Sequence, residues 1–396
     1  MTRIVSLGSH SHKDCKCHNI TRYYFILLEW MVMVMSLSEP EFQAWNVSES
    51  QFSEDGPRIE QLKFLLNYAI LAPSSHNTQP WLFKIVDDNI IELYADRTRG
   101  LPLVDPVDRA LTISCGAALS HLLIAIRHFG YDYKLELFPD SSNRDLISRI
   151  TVDDDRKKPF SGENALFEAI TKRRTNRLKF EDRELEESLI SKLRSILVNN
   201  KEGEAEGKEE ERAKTVWFHI ARELDEKNSL ADLIAEGDRL QLSDKRFRRE
   251  LASWIHPNRS HSKDGMPGYA FGYNDIMSHM GPFVLRTFDI GKGQAAKDRQ
   301  LAAGSPTLAI LGTRSDEPMN WLKTGMALSR MLLTAQSENV WCSFLNQPIE
   351  VPELRPKVQE LVKQEDGFPQ IMLRMGYGKE VKPTPRRPIE DVLRQR

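Results

Sequence analysis

Apolar positions recur at helical spacing before residue 72 and alternate with polar positions after residue 81. The first pattern predicts a helix that begins at Pro57, a favoured first helical position, and ends before Pro73. Its apolar face comprises Leu62, Leu65, Leu66, Ala69 and Ile70. The second pattern, at 81–86 and 90–95 around a polar turn, predicts a β-hairpin. Residues 72–81 therefore connect a helix to a strand.

Long and short apolar segments alternate through the rest of the chain. A helix is predicted from Asp108, at the capping position, to Phe129, with Gly130 ending it. Further helices are expected at 164–173, 229–242, 244–254, 321–338 and 352–363. Further strands are expected at 131–138, 147–152, 215–220, 306–312, 340–345 and 369–375. Residues 255–275 follow neither pattern, and an irregular stretch of that length is typical of a lid or a binding loop.

Two of the predicted helices resemble each other. The sequence G-A-A-L-S-H-L-L-I at 116–124 aligns with G-M-A-L-S-R-M-L-L at 325–333. The small residues that the two segments share would let two helices approach closely. One explanation is a gene duplication, with two halves packed as an internal dimer about a pseudo-twofold axis. The other is a chance likeness between apolar helices, and we favour the duplication.

Composition and charge narrow the class of protein. A chain of 396 residues is long enough for two ordinary domains or one duplicated unit. A formal net charge of −2 argues against nucleic acid as an electrostatic partner. Four cysteines are too few for a disulfide framework, so a reducing, cytoplasmic location is expected. The apolar stretch 23–35 is short for a membrane span and contains Glu29, so no membrane partner is expected.

Residues 1–56 look unlike the rest of the chain. They contain a dense group of potential metal ligands: His10, His12, Cys15, Cys17 and His18. The Cys-x-Cys-His spacing is not a standard zinc arrangement. Later methionines, any of which could be the true start, would remove this group: Met31, Met33 and Met35. We expect a disordered or mis-started leader rather than a metal site.

Three polar stretches carry the candidate chemistry. The elbow, residues 72–81, reads A-P-S-S-H-N-T-Q-P-W, and its neutral hydroxyls and amides suit a flat ring with polar edges. The basic knot, residues 172–177, and the tail, which begins at residue 382 and contains Arg386 and Arg387, supply guanidinium groups that match a phosphate. Each alone could be a polar connection or a solvated basic patch. Together they indicate a phosphorylated aromatic cofactor.

Motifs for other chemistry are missing from the sequence. There is no G-x-S-x-G and no Walker A sequence. Three histidines near the irregular stretch lack H-E-x-x-H spacing and are expected to be core or solvent residues: His256, His261 and His279. We therefore predict no catalytic side chain and no metal ligand.

The polar stretches resemble motifs of the nitroreductase superfamily, most closely its duplicated, Acg-like branch. The elbow is similar to that family's A-P-S-x-x-N-x-Q-P-W signature. The basic knot followed by Phe180 resembles the R-R-S-x-R-x-F motif that binds flavin phosphate, with Thr175 in place of the commoner serine. The sequence P-T-P-R-R-P-I-E at 383–390 resembles the closing basic motif. The likeness covers roughly residues 57–395.

This resemblance implies an α+β fold in which helices flank mostly antiparallel sheets, with FMN as cofactor and NAD(P)H as co-substrate. In homodimeric members FMN lies at the subunit interface, with basic motifs from one subunit and the elbow from the other. Here the elbow falls in a first half, 57–160, and the basic motifs in a second half, 161–396, which carries a lid-like insert at about 255–290. The resemblance thus implies one composite flavin site in an internal pseudo-dimer. Its residues would be Ser74, Ser75, Asn77, Gln79, Arg173, Thr175, Arg177, Arg386 and Arg387.

The function implied is passage of hydride from NAD(P)H through flavin to an electron-poor acceptor such as a nitroaromatic or a quinone. Two alternatives stay open. The chain could bind and sequester flavin under a lid, for which 264–288 is the candidate, with little turnover. It could also be a duplicated scaffold that holds no flavin. The pseudo-dimer would act as a monomer or as a homodimer.

Overall fold

The computed structural model describes residues 40–156, 163–198, 215–364 and 367–394. The first half has two helices and four strands. In chain order they are α1 (Arg58–Ala69), β1 (Trp81–Ile85), β2 (Ile90–Ala95), α2 (Arg109–His128), β3 (Tyr133–Leu137) and β4 (Leu146–Val152). The predicted first helix and the β-hairpin are confirmed.

The first sheet is antiparallel in the order β1-β2-β4-β3. Its hairpin register pairs Trp81 with Ala95, so Trp81 and Phe83 point toward the same face and are both fully buried. The apolar stripe of α1 and nearly the whole of α2 complete this core. Burial of that stripe is what stabilises α1, since a helix of twelve residues is marginal in water.

The second half is longer and contains more helix. Its elements are α3 (Asn164–Ile170), α4 (Glu187–Val198), β5 (Val216–Ala221), α5 (Leu224–Ser243), α6 (Lys245–Ser253), β6 (Ile255–His256), β7 (Met266–Pro267), α7 (Asp275–Thr287), α8 (Gly291–Ala303), β8 (Thr307–Thr313), α9 (Pro318–Ser337), β9 (Trp341–Phe344), α10 (Gln347–Glu350), α11 (Arg355–Leu361), β10 (Phe368–Gly376) and α12 (Ile389–Val392).

The second sheet is antiparallel in the order β5-β8-β10-β9. Counted within each half, both sheets therefore have the strand order 1-2-4-3. In each half the long helix, α2 or α9, joins the second strand to the third. Among the described residues the architecture is thus α+β with two helix-flanked antiparallel sheets of matching topology.

Helices α2 and α9 pack against each other through two glycines. A Cβ at Gly116 would overlap the carbonyl oxygen of Leu322, and one at Gly325 would overlap the carbonyl oxygen of Ile113. The backbones approach this closely only because both positions lack a side chain. These are the first residues of the two segments that resemble each other in sequence.

The insert, residues 222–306, lies between β5 and β8, where the first half has only the short turn between β1 and β2. It contains helices α5 to α8 and the two-stranded pair β6–β7. Helices α4, α7 and α8 were not predicted. The α8 sequence begins G-K-G-Q and α7 contains Pro282, so both lack the continuous apolar periodicity on which the prediction relies.

The predicted leader is wrong for residues 40–56. They form two short 3₁₀ helices, Pro40–Asn46 and Glu49–Gln51, and Phe42 and Trp45 are buried in the first core. Burial of these two aromatic rings holds the segment in place although its neighbours are polar. The group of potential metal ligands and the apolar stretch 23–35 lie outside the described residues.

Asp108 precedes α2 as predicted, but its side chain does not cap the helix. Its carboxylate pairs with Arg97, and its backbone adopts the left-handed conformation with φ of 59°. Asp105 Oδ2 instead accepts the backbone N–H of Leu111 at 2.8 Å. The length and apolar composition of α2 would suit a membrane span, yet the helix is wholly buried as the centre of the first core.

Candidate functional site

The elbow, the basic knot and the tail converge on one cavity between the two halves. Its volume is about 1040 Å³, at the upper end of the range usual for small-molecule sites. Seven of the nine predicted site residues line it: Ser74, Ser75, Asn77, Arg173, Thr175, Arg177 and Arg386. Residues almost 100 and more than 300 positions apart in sequence thus meet at one place.

The elbow is a tight 3₁₀ turn in an uncommon backbone conformation. His76, Asn77 and Gln79 have φ values of 50°, 57° and 53°. Left-handed φ at residues other than glycine costs on the order of 1 kcal/mol each and persists where the surroundings fix it. The hydroxyl of Ser74 accepts the backbone N–H of Gln79 at 2.9 Å, which closes the turn. The elbow is therefore a preformed surface.

Asn77 ties the elbow to both the insert and the tail. Its Nδ2 donates to the carbonyl of Gly265 at 2.8 Å and to that of Pro385 at 3.0 Å. Its Oδ1 accepts from Arg386 Nη1 at 2.7 Å. Asn77 was predicted to face a ring. Its side-chain amide instead forms hydrogen bonds that hold the elbow, the insert and the tail together at the cavity wall.

Two of the predicted residues, Gln79 and Arg387, are not among those that line the cavity. Gln79 Nε2 donates to the carbonyl of Lys263, and its Oε1 accepts the backbone N–H of Arg387. The guanidinium of Arg387 donates to the carbonyls of Gln79 and Asp391 at 3.1 and 2.6 Å. Of the twin arginines, Arg386 is the one directed inward.

Five arginines of the cavity wall keep unused donors, and three of them come from the predicted site. Arg173 Nε, Arg177 Nη1 and Arg386 Nε are buried and have no hydrogen-bond partner among the described residues. Burial lowers the pKa of Arg173 and of Arg177 to about 10. Burial, followed by the charges of Arg173 and Arg174, lowers the pKa of Arg386 well below its usual value. Buried cations with free donors are costly, and an anion among them would be strongly favoured.

The basic knot is fixed to the second sheet. Thr175 forms a parallel bridge with Cys342 on the edge strand β9, and the Asn176 N–H donates to the Cys342 carbonyl at 3.0 Å. This pairing holds Arg173 and Arg177 on either side of Thr175. The threonine at this position retains the hydroxyl of the serine that is commoner in the resembled motif.

Trp45 also lines the cavity, although it was not predicted from the sequence as a site residue. The guanidinium of Arg174 lies 3.8 Å from its ring centroid and that of Arg386 lies 4.8 Å away. Such stacking partly compensates a cation for lost water. The signal was the pair Phe42 and Trp45, two aromatic residues in a segment that was otherwise read as a leader.

His76 contributes a neutral ring to the elbow side of the cavity. Burial and the charge of Arg177 lower its pKa to about 4. The Nε2 atom is buried and has no partner among the described residues. At neutral pH the imidazole is therefore uncharged and adds one more neutral hydrogen-bonding group beside the arginines.

Another part of the cavity is acidic and was not predicted. Asp238 on α5 and Asp298 on α8 both line it, together with Gln347 and Glu350 of α10 and Arg374 of β10. Burial and the neighbouring charge of Asp298 raise the pKa of Asp238. A charged residue within the apolar strand I-M-L-R-M at 371–375 was the available signal for this part. Across the described residues no group of three or more His, Cys, Asp or Glu side chains could hold a metal ion.

A family model described as "Putative TM nitroreductase" matches residues 44–126, which span α1, the elbow, the first hairpin and most of α2. A protein of Mycobacterium tuberculosis strain H37Rv, named as a putative NAD(P)H nitroreductase, is 29% identical over 353 residues, which cover 86% of this chain and 95% of the relative. The chain is thus similar to this named nitroreductase over most of its length. A second M. tuberculosis relative, "Putative NAD(P)H nitroreductase acg", is 26% identical over 85% of this chain and 96% of its own length.

Solved structures resemble this chain only distantly. The FMN-dependent nitroreductase NfnB from Mycobacterium smegmatis, determined in complex with NADPH, is 12% identical. The likeness covers 60% of this chain and 100% of that one, with a TM-score of 0.37.

Proposed function

We propose that this chain is a member of the nitroreductase superfamily, an FMN-dependent oxidoreductase that takes hydride from NAD(P)H and reduces an electron-poor small molecule, such as a nitroaromatic or a quinone. One observation carries the proposal. Arg173, Arg177 and Arg386 direct buried, unpartnered donors into the cavity that the neutral elbow lines. The names of the M. tuberculosis relatives support the same reaction class.

The residues present fit FMN. The phosphate would be held by Thr175 and by Arg173, Arg177 and Arg386, whose unpartnered donors favour an anion. The ring and ribityl chain would lie against Ser74 and Ser75, beside neutral His76. Bound FMN supplies hydride transfer, which protein side chains cannot perform. The chain's own residues orient the ring, neutralise the phosphate and exclude water.

The proposal includes an origin of this site by duplication. Both sheets have the same strand order, and the two long helices cross at Gly116 and Gly325, the matching positions of the repeated sequence. After its second-sheet strand, the chain returns to the first half: Leu393 bridges Phe83 on β1, and Arg394 N donates to the Phe83 carbonyl at 2.7 Å. Such an exchange of arms is usual in dimers, here within one chain.

A cytoplasmic location belongs to the same proposal. Cys115 and Cys342 are buried free thiols, and burial raises the pKa of each above its usual value. Both are therefore protonated thiols at neutral pH, and neither forms a disulfide, which agrees with a reducing compartment.

A specific observation favours a second candidate, flavin sequestration with little turnover. The lid segment, residues 255–290, is bonded to both the elbow and the tail. The Gly265 N–H donates to the Asn77 carbonyl at 3.2 Å, and the Gly265 carbonyl accepts from the Asn77 side-chain amide. The Tyr269 hydroxyl donates to the Pro383 carbonyl at 2.6 Å. A lid held at several points would slow the entry of a nicotinamide or an acceptor.

The visible spectrum of the purified protein tests flavin binding. We expect a yellow protein that retains FMN through gel filtration, and loss of that absorbance in the double variant Arg173→Ala, Arg386→Ala. Arg246→Ala, which removes an exposed arginine paired with Asp244, is the matched control and should stay yellow. A protein that stays colourless after incubation with FMN would contradict the proposal.

Anaerobic bleaching by NAD(P)H separates the two candidates. An oxidoreductase loses its flavin absorbance within seconds and regains it on addition of a quinone. A sequestering protein keeps its absorbance under the same conditions.

A further inference from the structure

The cavity has a second polar region that the flavin proposal does not use. It is bounded by helices α5 and α8 of the insert and by α10 and strand β10 of the second half. The side chains that matter are Asp238, Asp298, Gln347, Glu350 and Arg374. We refer to this region as the amide pocket.

One wall of the amide pocket has too few donors for its acceptors. Gln347 Nε2 donates to Asp238 Oδ1 and to Asp298 Oδ2, both at 3.1 Å. That single amide nitrogen therefore serves two carboxyl groups, and Asp298 Oδ2 accepts a further bond from Gln294 Nε2 at 3.0 Å. Asp238 is only 4% exposed, and its Oδ2 has no partner among the described residues. Gln347 Oε1 is likewise buried and unpartnered within the described chain.

Arg374 of β10 supplies unused donors to the same pocket. It is 1% exposed, and only its Nη2 is engaged, by the carbonyls of Leu178 and Asn176 at 2.9 and 3.3 Å. Its Nε and Nη1 are buried and unpartnered in the part of the chain that the structure describes. Its ring neighbour Phe180, 4.2 Å away, supplies no acceptor oxygen.

Buried polar groups in proteins are almost always hydrogen-bonded, and each unsatisfied one costs about 1–3 kcal/mol. A proton shared by Asp238 and Asp298, which burial favours by raising both pKa values, would satisfy one carboxyl oxygen. It would leave Gln347 Oε1 and two nitrogens of Arg374 without partners. The pocket therefore requires a ligand that has both acceptors and donors.

Charge restricts the ligand further. A carboxylate in the pocket would face Asp238, Asp298 and Glu350. An ammonium group would face Arg374 and, nearby, Arg177. A neutral group avoids both repulsions while it accepts from the guanidinium and donates to the carboxyl and amide oxygens.

We propose that the amide pocket binds the uncharged, primary-carboxamide-type substituent of the electron acceptor and selects it against a carboxylate on the same ring. The identification of the ligand as an electron acceptor rests on the proposed function. The binding preference itself can be measured independently of any flavin.

Isothermal titration calorimetry with two matched probes tests the inference. 4-Nitrobenzamide and 4-nitrobenzoate share a ring and differ in the charge of one substituent. With the full chain as purified, we expect the amide to bind at least about tenfold more tightly, equivalent to about 1.4 kcal/mol. In the double variant Asp238→Asn, Asp298→Asn the ratio should fall below about threefold, because the benzoate then faces only the carboxyl of Glu350 among the three.

Asp232→Asn is the matched control, since Asp232 is an exposed residue of the same helix α5, paired with Arg299. It should leave the ratio unchanged. Equal binding of the two probes to the unaltered chain, or no binding of either, would overturn the inference without any variant. So would a folded double variant that keeps the full ratio, because the carboxyls would then be only internal counter-ions of Arg177 and Arg374.

Flavin content, measured on the same sample, separates this inference from the proposed function. A colourless chain that still prefers the amide tenfold would contradict the oxidoreductase proposal and support the pocket. A yellow, NAD(P)H-reducible chain that binds both probes equally would do the reverse.

Discussion

The two sheets share a strand order but differ in what joins their first two strands. In the first sheet a short turn links β1 to β2, whereas in the second the whole insert, residues 222–306, lies between β5 and β8. The parts that match, α2 and α9, form the contact between the halves. The part that differs supplies the lid segment and one wall of the amide pocket. Common features of the halves build the scaffold, and their difference determines what the cavity admits.

The largest effect is expected where the halves match. Gly116→Val would drive a branched side chain into the Leu322 carbonyl on α9, and the helices cannot separate without opening both cores. We expect a loss of about 4 kcal/mol or more in the free energy of unfolding, or no soluble protein. Urea unfolding followed by circular dichroism measures it.

Gly293→Ala is the control for that variant. Gly293 lies in helix α8 of the insert, and a Cβ there meets nothing within 4 Å. The change should raise stability by up to about 1 kcal/mol, as alanine favours helix over glycine. Equal tolerance of both substitutions would mean that the glycine contact does not hold the halves together.

A smaller effect is expected where the halves differ. Asn77→Ala removes three hydrogen bonds that join the elbow to the lid segment and the tail, and it leaves Arg386 with one fewer acceptor. We expect the free energy of unfolding to fall by about 2–4 kcal/mol. Hydrogen exchange should also speed up across residues 255–273, and flavin retention should fall.

Lys263→Ala is the matched control in the same lid segment. Its Nζ pairs with Asp391 at 3.0 Å on the exposed surface, where such pairs contribute at most about 0.5 kcal/mol. If this variant accelerated exchange as much as Asn77→Ala, surface charge rather than the buried amide would hold the lid segment.

The smallest effect is a pH dependence within the insert. The folded-state pKa of Asp238 is raised to about 8, first by burial and then by Asp298, from an ordinary value near 3.8. The native chain therefore keeps a proton that the unfolded chain has lost, so stability falls as the pH rises from about 4 to 8. The charged or polar groups that face Asp238 are Asp298 and Lys297 of α8, Gln347 and Glu350 of α10, and Arg374 of β10.

Asp238→Asn should flatten this fall. The difference in unfolding free energy between variant and parent should grow by on the order of 1–2 kcal/mol in favour of the variant between pH 5 and 8. Urea unfolding at several pH values measures it. Because His76 titrates in the opposite sense and is common to both proteins, its contribution cancels in the difference. A constant difference would show that Asp238 stays ionised in the fold.

The local parts of the site could be predicted from sequence, but their orientation could not. The two prolines and the polar run of the elbow define a turn by themselves, and the basic knot and tail are short arginine motifs. Which of two adjacent arginines faces inward depends on Gln79, nearly 310 positions earlier, which engages Arg387 and leaves Arg386 to the cavity.

The insert was the least predictable region for a physical reason. Its helices α7 and α8 are partly exposed, and proline, glycine and lysine interrupt the apolar periodicity by which a helix is recognised in a sequence. Asp238 on α5 and Asp298 on α8 lie 60 positions apart, and nothing local marks them as neighbours. Arg374 was visible as a charge inside an apolar strand, but its environment depends on both.

The bridge between Leu393 and Phe83 has a consequence for solubility. Strand β1 is an edge of the first sheet, and an uncovered edge is a template for pairing with other chains. The segment that delivers Arg386 to the cavity continues onto this edge, and the basic knot bridges β9, an edge of the second sheet. Truncation before the tail would therefore remove a cavity arginine and at the same time expose an unpaired edge strand. Aggregation would then accompany the loss of the site.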